Sequence, residues 1–163
     1  MMKPDGTGTT ARVRVREATA SDAPAVAAAI EDLLVELGGK RPSGAQLEAA
    51  TRELIADGEM GIVLIAEVDG MLAGVCAASW QQAIHVPGRY ATIQDLWVHP
   101  DWRSLSLGRE LIEALLEHAG GRGISRLEVG LPQPSFPEIE ATERFYLANG
   151  FEPLGPRMRL LLQ

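Results

Sequence analysis

Apolar and polar residues alternate through residues 12–18, RVRVREA, the period of a half-buried strand. The pattern then switches. Thr19 to Asp22 offer capping side chains, Pro24 falls in a first helical turn, and helical spacing runs to about Leu37. The breaker cluster Gly38–Gly44, GGKRPSG, separates this helix from a second, AQLEAATRELIADG, with Leu47, Ala50, Leu54 and Ile55 on one face. Residues 62–68, IVLIAEV, and 71–80, MLAGVCAASW, flank Asp69-Gly70, a strong signal for a tight hairpin between two central strands.

A polar loop, QQAIHVPG, leads to a further strand, RYATIQDLWV, closed by His99-Pro100. In the helix that follows, Leu107, Leu111, Ile112, Leu115, Leu116 and Ala119 make the apolar stripe, Glu110, Glu113 and Glu117 face away, and Gly120-Gly121 end it. Residues 125–131, SRLEVGL, predict another strand, EIEATERFYLANG a helix ended by Gly150, and FEPLGPRMRLLL closing strand-like segments. The order predicts one mixed α/β domain: a mostly antiparallel central sheet flanked by about four helices, from residue 12 to 163, behind a short disordered tail at residues 1–11.

Composition narrows the function. The chain has 163 residues and a formal charge of -7, which argues against a general nucleic-acid binder needing a basic face. The single cysteine, Cys76, excludes an internal disulfide and a cysteine-rich metal site, and within an apolar strand it reads as a small core residue. His85, His99 and His118 lack ligand spacing, so no metal is expected. The N-terminus lacks a signal peptide's apolar core and no apolar run approaches membrane-spanning length, so the expected home is a reducing cytoplasm, with no membrane partner. Arg and Ala bias suggests a GC-rich bacterial genome.

The segment WRSLSLGRELIEALLEHAG joins a Ser/Gly turn carrying Arg103 directly to a helix, where N–H groups lack intrahelical partners and the dipole is positive. Neither G-x-x-x-x-G-K-S/T nor G-x-G-x-x-G is present. Taken with its setting, VHPDWRSLSLGRELIEALLEHA resembles the acetyl-CoA signature of the GNAT superfamily of N-acetyltransferases, Q/R-x-x-G-x-G/A after a strand ending in V-x-P. Residues 142–151, TERFYLANGF, resemble the family's second motif, and the element order from about Arg12 to Leu162 follows its layout. Arg103 takes the Q/R position, Ser106 the first Gly and Gly108 the Gly/Ala. Ser106 is a departure, and Ile139 stands where many members carry an asparagine.

The resemblance implies acetyl-CoA as cosubstrate, held by Leu96, Trp97 and Val98 on the strand and by Arg103, Ser104, Leu105, Ser106, Leu107, Gly108 and Arg109 around the turn. A bulky residue at Gly108 is then expected to weaken binding without unfolding. It implies direct attack by a primary amine of a small molecule or peptide, whose proton a base must take. Asp95 is the candidate base, with Gln94 beside it; its other reading is a loop cap or a partner for an arginine. The resemblance also implies an oxyanion-binding N–H near Val98, at a bulge where the strand splays from its neighbour, and Tyr146 as general acid for the leaving thiolate. On helical spacing alone Tyr146 reads as a core aromatic beside Phe145.

The segments Gly38–Gly44, Gln81–Gly88 and Pro132–Glu140 are expected to shape the acceptor pocket. His85 could line it, Glu138, Glu140 and Glu143 could attract a cation or serve the helix dipole, and Trp80 reads as core while Trp97 stays open. A homodimer is a family-level expectation. The rival readings are a catalytically inactive CoA-binding sensor, an enzyme using another acyl-CoA, and an interaction domain without a cofactor.

Overall fold

The computed structural model describes residues 10–162, Ser104 through its backbone only; residues 1–9 of the expected tail lie outside them. Five strands form one sheet in sequence order: β1 (Val13–Glu17), β2 (Gly61–Val68), β3 (Met71–Gln82), β4 (Arg89–Val98) and β5 (Leu127–Val129). The first four pair antiparallel and β5 joins β4 in parallel. Helices α1 (Ala23–Leu37) and α2 (Gly44–Ala56) connect β1 to β2, α3 (Leu107–Gly121) follows β4, and α4 (Ile139–Ala148) follows β5.

Both faces of the sheet are covered, which is why β2 reads as a continuous apolar run while the edge strand β1 alternates. Ile62, Leu64, Cys76, Ala78 and Ile93 pack with Leu111, Ile112 and Leu115 of α3 and with Tyr146. Val63, Ile65, Val75, Ala77 and Trp97 pack with Val26, Ala29 and Ile30 of α1 on the opposite face. Asp69 and Gly70 adopt the positive φ angles, 51° and 81°, that a two-residue hairpin turn needs.

Local chemistry fixes the helix starts. Ser43 Oγ accepts the Gln46 N–H at 3.2 Å while Gln46 Oε1 accepts the Ser43 N–H at 2.9 Å, so Gly44, expected in the breaker loop, is the first residue of α2. Arg16 on β1 binds Asp22 before α1 and Glu67 on β2, each at 2.8 Å, and this pairing holds the Asp22 carboxyl far below the usual range.

The closing strands do not form: among the described residues β5 is the last strand. Pro153 and Pro156 cannot donate to a ladder, Gly155 has φ 138°, and β5, expected over seven residues, offers only three for pairing. Leu116, expected in the buried stripe of α3, is half exposed, at the margin of the face that Leu111 and Leu115 bury.

Candidate active site

The site is built on the free half of β4. In the β3–β4 ladder Ala77 pairs with Asp95 and Ala78 with Ile93, so Gln94 is an extra residue, a β-bulge. The bulge thus lies four residues before Val98, where the sequence reading set it. β5 pairs with β4 only from Ala91 to Ile93, and beyond the bulge the two strands part.

The consequence for the backbone follows from ladder alternation. His99 N–H donates to Ala73 O at 2.7 Å, so the next opposed pair, Val98 with Gly74, is a non-hydrogen-bonded one, as is Leu96 with Cys76. The amides of Leu96 and Val98 therefore face away from β3, onto the edge that β5 leaves open. The Val98 carbonyl on this edge accepts a hydrogen bond from Arg103 Nε at 2.9 Å.

Below this edge lies the turn into α3. Pro100–Leu105 form a 3-10 turn, Ser106 takes the left-handed conformation (φ 59°, ψ 23°), and α3 begins at Leu107. A right-handed residue followed by a left-handed one turns successive N–H groups into one concavity, suited to an anion. Ser106 O accepts the Glu110 N–H, and the amides of Leu107, Gly108 and Arg109 before it have no intrahelical acceptor. This donor set, with the helix dipole behind it, fits a pyrophosphate.

The side chains of the turn have other duties. Arg103 bridges Val98 O and Glu36 Oε1 of α1, the latter at 2.6 Å, so its guanidinium ties the turn to α1. Leu107 is fully buried with Val68 and Ala73, and exposed Arg109 pairs with Glu113 on its own helix. At Gly108 a Cβ would sit 2.9 Å from Phe145 Cζ, so bulk there meets α4's ring as well as the turn. The sequence gives no sign of Glu36, which lies 67 residues from Arg103 with no local pattern to link them.

Asp95 and Tyr146 approach the open edge from opposite faces. Asp95 opposes Ala77, which belongs to the α1 side, and burial raises its carboxyl above the usual range. It makes no ion pair among the described residues. Tyr146 lies on the α3 side, with Phe145 and Phe151 rings 5.1 and 5.2 Å away, and burial, then the Cys76 thiol, push its phenol well above its ordinary value. Cys76 is fully buried, its thiol pushed up to about 12 by burial and by Asp95, which leaves it inert.

Trp97 differs from Leu96 and Val98: alternation commits its amide to β3, and its indole belongs to the α1-side core. Trp80 is core as expected, with Nε1 donating to Gly58 O at 3.0 Å and Arg122 5.1 Å from its ring centre. The β3–β4 loop forms an open depression of about 560 Å³ lined by Gln82, Ala83, Ile84, Pro87 and Gly88; His85 stands near Tyr90, 6.5 Å between ring centres. No group of three or more metal-ligating side chains occurs among the described residues, and none of their helices is long and apolar enough to cross a membrane.

A splayed central strand with outward amides, above a helix start that presents further amides, offers a run of backbone donors to an elongated anionic ligand. The family model described as Acetyltransferase (GNAT) family matches residues 27–151, and the chain belongs to that family. No curated protein matches the chain. Among solved structures it is similar to aminoglycoside N-acetyltransferase AAC(6')-Iy in complex with CoA (17% identity, TM-score 0.75, covering 99% of each chain). It is similar to glucosamine-6-phosphate N-acetyltransferase from Arabidopsis thaliana (16%, TM-score 0.71, 93% of this chain and 99% of that one). A third, from Arthrobacter sp. FB24, is named only by the acetyltransferase class to which it is assigned (28%, TM-score 0.72, 92% and 95%). The two likenesses below 25% identity establish the fold alone.

Proposed function

We propose that the protein is an N-acetyltransferase that moves the acetyl group of acetyl-CoA to a primary amine of a small molecule or peptide by direct attack. The observation that carries this reading is the parting of β4 and β5 after Ile93, which turns the Leu96 and Val98 amides onto an open edge above the α3 N-terminus. In this reading the amides of Leu107, Gly108 and Arg109, in the concavity at Ser106, hold the pyrophosphate, and that of Leu96 holds the arm. Acetyl-CoA, when bound, supplies an activated acyl thioester.

The chain's own groups do the rest. An amine of ordinary pKa, about 10.4, is cationic near neutrality and must lose a proton to become nucleophilic. Asp95, whose carboxyl burial has made more basic, accepts that proton directly or through water. The Val98 N–H donates to the carbonyl oxygen as negative charge develops there; an oxyanion donor of this kind contributes about 3 kcal/mol. Arg103 holds the Val98 carbonyl and so fixes the peptide planes next to that donor. Tyr146 Oη gives its proton to the departing sulfur, and its raised pKa keeps the phenol protonated across the working range.

Initial rates with acetyl-CoA and a panel of amines test the reading. Tyr146→Phe is expected to lower kcat about 10²-fold or more with acetyl-CoA affinity held, the scale of a lost general acid. Asp95→Asn is expected to lower kcat/KM and abolish its acid limb. Turnover equal to wild type in Tyr146→Phe would remove the phenol from the mechanism, and absence of transfer to any amine despite acetyl-CoA binding would favour a sensor.

A further inference from the structure

The last described residues stand apart from the rest of the molecule. Met158 is fully exposed, Leu160, Leu161 and Leu162 are exposed by 83%, 74% and 89%, and Leu154 by 68%. Three consecutive leucines are open together, so no side of this run is covered. Single exposed leucines are ordinary on a protein surface, whereas a contiguous apolar run marks a contact. The run leaves its own domain at its start. Pro153 and Pro156 restrict the backbone, Gly155 has φ 138°, and Arg157 lies over Gly130, where a Cβ would meet its Nη1 at 2.6 Å. The chain thus reaches the end of β5 and continues into solvent instead of back along the strand.

The sheet has a matching gap. β5 pairs only with β4, so its far edge carries no strand among the described residues. Ala91 N–H donates to Arg126 O at 2.9 Å, and in a parallel ladder this turns the N–H and C=O groups of Leu127 and Val129 outward, onto that far edge. The side chains of Leu127 and Val129 pack against the α3-side core yet stay only partly buried, because no neighbouring strand closes over them. The sheet lacks an apolar strand at one edge, and the chain carries an apolar segment without a sheet.

We propose that a second copy of the chain fills the gap: residues 157–162 of each copy add to the far edge of the other copy's β5. Met158, Leu160 and Leu162, two apart, then share one face with Leu127 and Val129. The exchange is reciprocal and closes a two-fold dimer. A three-residue edge holds an added strand weakly through its backbone, so the apolar side chains carry the contact. Each buried Leu or Met removes roughly 100 Å² from water, which makes about 400 Å² per copy; the surface covered is of similar size, so two exchanges bury about 1,600 Å², a standard stable interface. Charge acts in the same direction. Residues 153–162 contain two arginines and no acid in a chain of net charge -7, so the segment is attracted to the acidic surface of another copy.

Sedimentation equilibrium of the full chain reads the mass, and residue-resolved hydrogen exchange reads the pairing. A particle of twice the chain mass is expected, with the Leu127 and Val129 amides and alternate amides of residues 157–162 slowed about 100-fold or more relative to an open chain. Replacing Leu160 and Leu162 together by serine alters side chains that one copy leaves in solvent, so the fold is expected to persist. The dimer dissociation constant is expected to rise about 100-fold or more, and the Leu127 and Val129 amides to exchange freely. A monomer at every concentration, with residues 157–162 either open or protected against their own β5, overturns the proposal. A dimer whose Leu127 and Val129 amides are open, or one that survives both serines, overturns it as well. Acetyl-CoA enters neither readout, so the outcome is independent of the acyl-transfer reading.

Discussion

Replacing Gly108 by alanine sets a small gain against a larger cost. The new Cβ would lie 2.9 Å from Phe145 Cζ and 3.1 Å from Cε2, where carbon atoms prefer about 3.5 Å or more. The ring, partly buried and packed edge-on to Tyr146 at 5.1 Å between centres, has to turn to admit the new carbon and gives up part of that contact. Alanine returns up to about 1 kcal/mol of helix propensity, less at a first turn, while overpacking costs about 1–3 kcal/mol. The net expectation is a loss of about 1 kcal/mol, or about 3 °C in Tm for a domain of this size. Thermal and urea unfolding of Gly108→Ala, Phe145→Leu and the double variant make the test. Phe145→Leu alone should cost about 1 kcal/mol, and the double variant should recover about 1 kcal/mol relative to additivity, since the alanine then meets no ring. A Gly108→Ala protein as stable as wild type, or strictly additive effects, would show that Gly108 is not a packing glycine.

Burial raises the Asp95 pKa, so the folded state binds more protons than the unfolded one between the ordinary and the raised value, and stability falls as pH rises through that window. Asp95→Asn is accordingly expected to raise Tm at pH 7 while lowering turnover, with little change in Tm at pH values below the ordinary carboxylate pKa; a lower Tm at pH 7 would contradict it. Ser106 holds a left-handed backbone at φ 59°, which costs an L-residue about 1–2 kcal/mol, partly offset by the unfolded-state entropy that glycine adds. Ser106→Gly should therefore stabilise by about 0.5 kcal/mol in urea unfolding, and a destabilised variant would mean that the hydroxyl makes a compensating bond.

Much of the scaffold was legible because its signals are local. Asp69-Gly70 dictates a hairpin turn, the leucines of α3 define a buried face, and the break after Val98 follows from His99-Pro100. What escaped depends on distant partners or on pairing. The bulge at Gln94 exists only relative to β3, and alternation in IQDLWV cannot say which amides β3 will occupy; only the ladder separates Trp97, whose amide turns to β3, from Leu96 and Val98. RMRLLL has strand composition, but with Pro153 and Pro156 before it and only three residues in β5 it forms no strand. Arg103 occupies the motif position read for it, yet its guanidinium goes to Glu36 and Val98, contacts that no spacing encodes. Asp95 and Tyr146 were readable as candidates from residue type and motif; their placement on opposite faces of the open edge required the register.

The most direct test of the account is the affinity of the purified chain for acetyl-CoA, by isothermal titration with Tm followed in parallel. The account predicts saturable 1:1 binding and a Tm that climbs with ligand, about 2.7 kcal/mol of added stability at a hundredfold excess over Kd. A flat titration at millimolar acetyl-CoA, with the protein folded, would contradict it and leave the open edge of β4 without its proposed occupant.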